Sequence, residues 1–188
     1  MATTSDMRTG LILKIDGSLY TVIEFGQNKT ARAAAKVWAK LKGVDNTRTI
    51  EQTWNSGETI YPVRVEKKPY QFIYKDVTGY SFMDTSTYEQ ITVPPEMVDA
   101  PQFLKDGQMV SVLFNTETET PMTVELPDKI VLLVTYSEPG MRGDTATRTL
   151  KPATVETGAT VMVPLFVNEG ELIRVNTKTG EYVERVKE

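Results

Sequence analysis

The chain has 188 residues with 40% hydrophobic and 24% charged residues, a net charge of −4, and neither histidine nor cysteine. Length and composition fit one soluble globular domain, or a few of about 60 residues each. The two missing residue types exclude histidine acid–base chemistry, Ser-His-Asp triads, cysteine nucleophiles, disulfides and Cys/His zinc sites.

The N-terminus, Met1-Ala2-Thr3-Thr4-Ser5-Asp6, is polar and lacks the apolar stretch of a signal peptide. The longest unbroken apolar run, Ile130–Val134, falls far short of the roughly 20 residues of a spanning helix. These features predict a cytoplasmic protein without a membrane partner. Asn28-Lys29-Thr30 matches a glycosylation acceptor by chance.

Charge is unevenly spread. Residues 1–65 hold 9 Lys/Arg against 6 Asp/Glu, residues 66–127 hold 4 against 10, and residues 128–188 hold 8 against 9. Between Glu24 and Asp45 stand Lys29, Arg32, Lys36, Lys40 and Lys42 with no acid among them. Two readings compete for this arm. It is a solvated strand face whose lysines discourage edge-to-edge pairing, or it contacts a phosphate backbone while the acidic remainder suppresses non-specific binding.

In chain order, the pattern is all-β. Gly10–Ile15 and Leu19–Phe25 alternate around Asp16-Gly17-Ser18, a hairpin signal because Asp-Gly suits the positive φ of a tight turn. From Lys36 to Val44 the alternation puts Lys36, Trp38, Lys40 and Lys42 on one face and Val37, Ala39 and Leu41 on the other. A helix over Ala31–Leu41 is the second choice, since alanine favours it but the period does not. The stretch from Gln27 to Ala35 then forms the tip of a long hairpin, with small residues around Arg32. Trp38 is read as a cross-strand packing residue ahead of a base-stacking platform.

Arg48–Trp54 reads as a strand ended by Asn55-Ser56-Gly57, and a first boundary falls at Pro62–Pro69. Tyr70–Lys75 and Tyr80–Asp84 read as strands around Asp76–Gly79, and Glu89–Phe103 as a proline-bearing loop with a short helical piece. Met109–Asn115 and Pro121–Glu125 form a hairpin across Thr116–Thr120. A second boundary lies near Pro127-Asp128, followed by the strand Lys129–Tyr136 and a polar loop, Ser137–Leu150. Strands at Thr160–Val167, Leu172–Asn176 and Tyr182–Val186 close the chain. Short strands about every ten residues indicate small barrels. The boundaries give three modules, 1–65, 66–127 and 128–188, stacked as a stiff rod; a single large barrel is the alternative.

No catalytic constellation stands out, and there is neither a P-loop nor a dinucleotide fingerprint. Lys178-Thr179-Gly180 is a turn, since the Ser-x-x-Lys that would make it a β-lactamase motif is missing. The expectation is a non-enzyme with no cofactor and no metal. A small β-barrel with a basic hairpin is a recurring RNA-binding arrangement. A protein-docking module built on the acidic middle segment is the competing class.

Glu138-Pro139-Gly140-Met141-Arg142-Gly143-Asp144-Thr145-Ala146-Thr147, Lys151-Pro152-Ala153-Thr154-Val155-Glu156-Thr157-Gly158-Ala159, Val163-Pro164-Leu165-Phe166 and Gly180-Glu181-Tyr182-Val183-x-Arg185 together resemble bacterial translation elongation factor P. The likeness spans the whole chain, including the Met7-Arg8-Thr9-Gly10 start.

The resemblance implies an SH3-like/KOW N-terminal barrel and two OB barrels in an extended, tRNA-like L arrangement. It implies a monomer that binds both ribosomal subunits between the P and E sites and relieves stalling at consecutive prolines by positioning P-site peptidyl-tRNA. Counted without a gap from Glu24-Phe25 to Val44, the family's tip residue, which contacts the tRNA acceptor end and is modified in many members, falls on Arg32. Lys29, Lys36, Lys40 and Lys42 become its supporting basic hairpin. Gly143, Asp144 and Thr145 match the loop that approaches mRNA at the E-site codon, and Tyr182 and Arg185 match residues near the anticodon stem of P-site tRNA. Thr30-Ala31 replaces the family's usual Pro-Gly, and the Thr-Ala-Arg-x-Ala-Ala pattern is closer to the elongation-factor-P-like paralogues. Whether Arg32 is modified, with an Arg-modifying enzyme as a further partner, stays open, as do a paralogue's distinct stalling range and a general RNA-binding role.

Overall fold

The computed structural model describes residues 1–29, 33–44, 48–139 and 150–187. Its strands are β1 (Ala2–Thr3), β2 (Ile12–Ile15), β3 (Ser18–Asn28), β4 (Lys36–Gly43), β5 (Thr49–Asn55), β6 (Thr59–Ile60), β7 (Val65–Asp76), β8 (Gly79–Asp84), β9 (Gln90–Val93), β10 (Met109–Asn115), β11 (Thr120–Glu125), β12 (Lys129–Ser137), β13 (Leu150–Val155), β14 (Thr160–Pro164), β15 (Leu172–Asn176) and β16 (Tyr182–Val186). Among the described residues, helical structure is confined to short 3-10 turns such as Pro95–Met97 and Pro101–Phe103. The fold is therefore all-β, as the turn spacing requires.

Three larger sheets run in the orders β2-β3-β4-β5, β11-β10-β7-β8-β9 and β14-β13-β12-β15-β16, and β1 pairs with β6. By contact density the chain divides into two compact units: Met1–Lys68 with Val112–Thr123, and Pro69–Ser111 with Val124–Glu188.

In the first unit, β2 and β3 meet across Asp16 and Gly17, whose φ values of 48° and 82° are those of a tight two-residue turn. Val22, Val37, Ala39 and Leu41 lie buried on one side of the β3–β4 pair with Met7, Leu13 and Ile60. Each fully buried Leu or Val contributes about 1.5–3 kcal/mol, so the period-two pattern of Lys36–Val44 outweighs the helical propensity of the preceding alanines. β4 is a strand whose buried and exposed residues alternate as its sequence predicts.

The second unit has an aromatic interior. Phe72 faces Phe82 across β7 and β8 with ring centroids 5.5 Å apart, and Tyr80 lies 5.9 Å from Phe72. Leu132, Val134, Val155, Val161, Ile173 and Val175 fill the interior faces of β12–β15.

Besides the two-residue strands β1 and β6, two longer strands were not legible in the sequence. Within the expected loop Glu89–Phe103, Gln90–Val93 forms β9, an edge strand on β8. Only Ile91 and Val93 are apolar there, and Pro94-Pro95 stop the strand before a period can register. The second is β13, whose core-facing row begins with a buried Lys151 that disguises the alternation. The Lys151 ammonium donates to the Glu138 carbonyl at 2.6 Å, which offsets part of its burial. Pro152 is tolerated because β12 pairs with β13 only as far as Ser137↔Ala153.

Candidate nucleic-acid interface

The basic hairpin is built by β3 and β4, paired from Tyr20↔Gly43 out to Asn28↔Lys36. One irregularity organises it. Between Val22↔Leu41 and Glu24↔Lys40 the register shifts, so Ile23 is an extra residue on β3. Without that bulge Glu24 would continue the core row; with it, Glu24 joins Lys40 on the outer face, and Gly26 and Asn28 come opposite Trp38 and Lys36.

The register also grades the charge along the arm. Lys40 has Glu24 on one side and Glu51 of β5 on the other. Lys42 lies between Thr21 and Thr49, and Lys36, farthest out, between Asn28 and Asn55. Lys29 follows β3 and is exposed, as are Lys36, Lys40 and Lys42. The four lysines thus share the hairpin, but positive charge is locally balanced at Lys40 and carries no acidic cross-strand neighbour at Lys36. Counting charges between Glu24 and Asp45 could not detect this, because both glutamates arrive through strand pairing. Arg32 lies outside the described residues, as do Gly143, Asp144 and Thr145.

Trp38 is settled by its neighbour. A Cβ placed on Gly26 would sit 2.7 Å from the indole Nε1 and 2.8 Å from Cε2 and Cζ2. The indole lies directly over the glycine, so one ring face is covered and Trp38 packs across the strands. Gly26→Ala is expected to displace the indole and lower stability by roughly 1–2 kcal/mol, the usual cost of overpacking. A reduced denaturant midpoint with red-shifted tryptophan emission checks it; an unchanged midpoint and spectrum refute it.

The second pair of expected contact residues stands on β16, the edge strand beside β15. Tyr182 and Arg185 are three positions apart and in a regular strand would face opposite ways. Here Val175 pairs with Tyr182 and Ile173 with Arg185, with a register shift between them. The extra residue, Val183, turns both side chains to the same face of the sheet. Arg185 Nη1 donates to Glu171 Oε1 at 3.0 Å, and its guanidinium carbon lies 4.6 Å from the centre of the Phe166 ring. Neither Phe166 nor Glu171 was given a functional role from the sequence; Phe166 stood there in the motif Val163-Pro164-Leu165-Phe166 and within an expected strand, Thr160–Val167, that stops at Pro164.

The chain matches family models along nearly all its length. Residues 3–60 match the Elongation factor P (EF-P) KOW-like domain, residues 65–123 the Elongation factor P (EF-P) OB domain, and residues 130–185 the C-terminal domain of elongation factor P. The chain is 53% identical to Elongation factor P 1 of Porphyromonas gingivalis over 188 residues, covering 100% of both chains. It is 48% identical to Elongation factor P of Amoebophilus asiaticus over 187 residues, covering 100% of this chain and 98% of the other. A third relative, Elongation factor P of Flavobacterium johnsoniae, is 45% identical over 188 residues with both chains fully covered. The chain belongs to the elongation factor P family.

As an elongation factor P family member, it is a translation factor and not an enzyme. The Lys178 ammonium pairs with Asp128 at 3.0 Å, and that hydrogen bond raises its pKa above the ordinary lysine value. Asn176 accepts from the backbone N–H groups of Lys178 and Thr179, so this tripeptide is a turn. Among the described residues, no helix is long and apolar enough to cross a membrane.

Proposed function

We propose that this elongation factor binds the ribosome between the P and E sites and speeds peptide-bond formation at consecutive prolines by holding P-site peptidyl-tRNA in a reactive geometry. The observation that carries the reading is the β3–β4 hairpin. Its strands stay paired to Asn28↔Lys36, and Arg32 stands four residues from each in the sequence. The outermost lysine of the pair has amide partners where Lys40 has carboxylates, which favours a polyanion at that end of the arm.

In this reading residues 1–65, 66–127 and 128–188 act as three modules of a cytoplasmic monomer that touches both ribosomal subunits. The Arg32 guanidinium bonds phosphate or ribose oxygens at the tRNA acceptor end. Gly143, Asp144 and Thr145 approach mRNA at the E-site codon, and Tyr182 and Arg185 lie against the anticodon stem. Proline is a slow donor and acceptor because its φ is fixed and its nitrogen is secondary. Restricting the acceptor end lowers the barrier through orientation, without a reacting protein group.

The loop supports a second reading. Thr30-Ala31-Arg32-Ala33-Ala34 lacks a Pro-Gly before the arginine, which favours a paralogue whose range of stalling motifs differs. An arginine-modifying enzyme belongs to the partners wherever Arg32 is altered, and the intact mass of the native protein decides that point.

Reconstituted translation tests the proposal. The protein is expected to speed synthesis across a triple-proline template and leave a proline-free template unchanged. Equal rates with and without the protein on both templates refute it. Relief confined to other stalling templates selects the paralogue.

A further inference from the structure

We infer that Phe166 and Glu171 hold the Arg185 guanidinium as a preformed clamp for an RNA sugar–phosphate backbone, with Phe166 as a positioning residue. The inference rests on the ribosome-binding reading above and extends it to side chains outside the hairpin.

Phe166 is 55% exposed, so its ring is poorly explained as a core residue. The next residue, Val167, is fully buried, and its N–H bonds the Pro164 carbonyl at 3.1 Å, which fixes the turn that presents the ring. Phe166 follows β14 and Arg185 stands on β16, the two outer strands of the five-stranded sheet. The guanidinium over the phenyl ring therefore spans the seam between these edges. A cation over an aromatic face is held by the ring quadrupole, and arginine stacks there with its planar group.

Glu171 supplies a second restraint. One carboxylate oxygen accepts from Arg185, and the other accepts from the Asn168 N–H at 2.7 Å. The carboxylate is thus tied to its own turn and cannot follow the arginine if the arginine moves. An exposed pair of this kind adds little stability; its effect is to select one orientation. Glu171 occupies one donor of a group that carries several, and Phe166 covers one face. The other N–H groups of Arg185 are the ones that would bond phosphate oxygens, and Tyr182 lies on the same face of the sheet. A guanidinium already ordered loses less rotamer freedom when it binds.

The test measures binding of the full chain to ribosomes carrying P-site tRNA, for wild type, Phe166→Ala, Phe166→Tyr, Arg185→Ala and the Phe166→Ala/Arg185→Ala pair. Phe166→Ala is expected to weaken binding about threefold, the scale of an exposed cation–aromatic contact. Phe166→Tyr is expected to match wild type, and the double variant to bind no more weakly than Arg185→Ala alone. In the free protein, the Arg185 Nε–H resonance is expected to lose its ring-current shift in Phe166→Ala and keep it in Phe166→Tyr. Wild-type affinity in Phe166→Ala, or the same proportional loss in the Arg185→Ala background, overturns the clamp and leaves the ribosome reading standing. Failure of the wild type to bind ribosomes overturns both.

Discussion

Arg32→Ala is expected to reduce synthesis across a triple-proline template to the rate without the factor while leaving the protein folded. A hydrogen bond to a charged group contributes about 1.5–3 kcal/mol. If that interaction acts on the reactive geometry, its removal slows the step on the order of ten- to a hundredfold. Arg32 is flanked by Thr30 and Ala31 on one side and by Ala33, Ala34 and Ala35 on the other. These sequence neighbours are all small, and with the tip read as an exposed loop the change is expected to stay within about 0.5 kcal/mol of stability. The lysines supply an internal scale. Lys36→Ala removes a charge with amide neighbours and is expected to weaken ribosome binding more than Lys40→Ala, whose charge sits between Glu24 and Glu51. Kinetics on triple-proline and proline-free templates, with melting curves for each variant, decide the matter. An Arg32→Ala protein as active as wild type removes Arg32 from the mechanism.

Gly79→Ala is expected to be among the most damaging single substitutions for stability. Gly79 begins β8 at φ 142°, a conformation that residues with a Cβ avoid. A Cβ there would lie 2.2 Å from the Val93 carbonyl oxygen and 3.0 Å from its carbon. These are backbone atoms at the end of β9, held where Tyr80 pairs with Val93, so no side-chain rotation relieves the contact. Backbone strain and overpacking each cost about 1–3 kcal/mol. Their sum is a large part of a typical domain's stability of roughly 5–15 kcal/mol. Chemical denaturation of the variant measures the loss, and a midpoint equal to wild type refutes the argument. Gly26 makes the contrast: its clash is with the outer atoms of an indole, which can swing away, and the smaller effect follows from that difference.

Strand alternation made the fold class legible for a simple physical reason. Apolar residues at every second position must be buried on one face, and turn residues must separate them. That signal was strong in β2, β3 and β4, where it recurs over whole strands, whereas β12 was legible from a continuous apolar centre. It failed in β9, which is too short to show a period, and in β13, where Lys151 occupies a core-facing position and satisfies itself on the Glu138 carbonyl. It failed as well for β1 and β6, each two residues long and paired with the other across most of the first unit.

The amino-acid order alone determined that the protein is all-β, that it lacks the residues for histidine or cysteine chemistry, and that a basic arm carries Arg32 between two strands. These are local properties, set by side-chain period and turn chemistry. Tertiary structure alone decided which neighbours those side chains acquired. One extra residue at Ile23 brings Glu24 beside Lys40 and lays Trp38 over Gly26. Another at Val183 turns Tyr182 and Arg185 to one face, with Phe166 and Glu171 holding the arginine. A bulge inverts every side chain beyond it, and its position depends on strands distant in the chain, so no local pattern announces it.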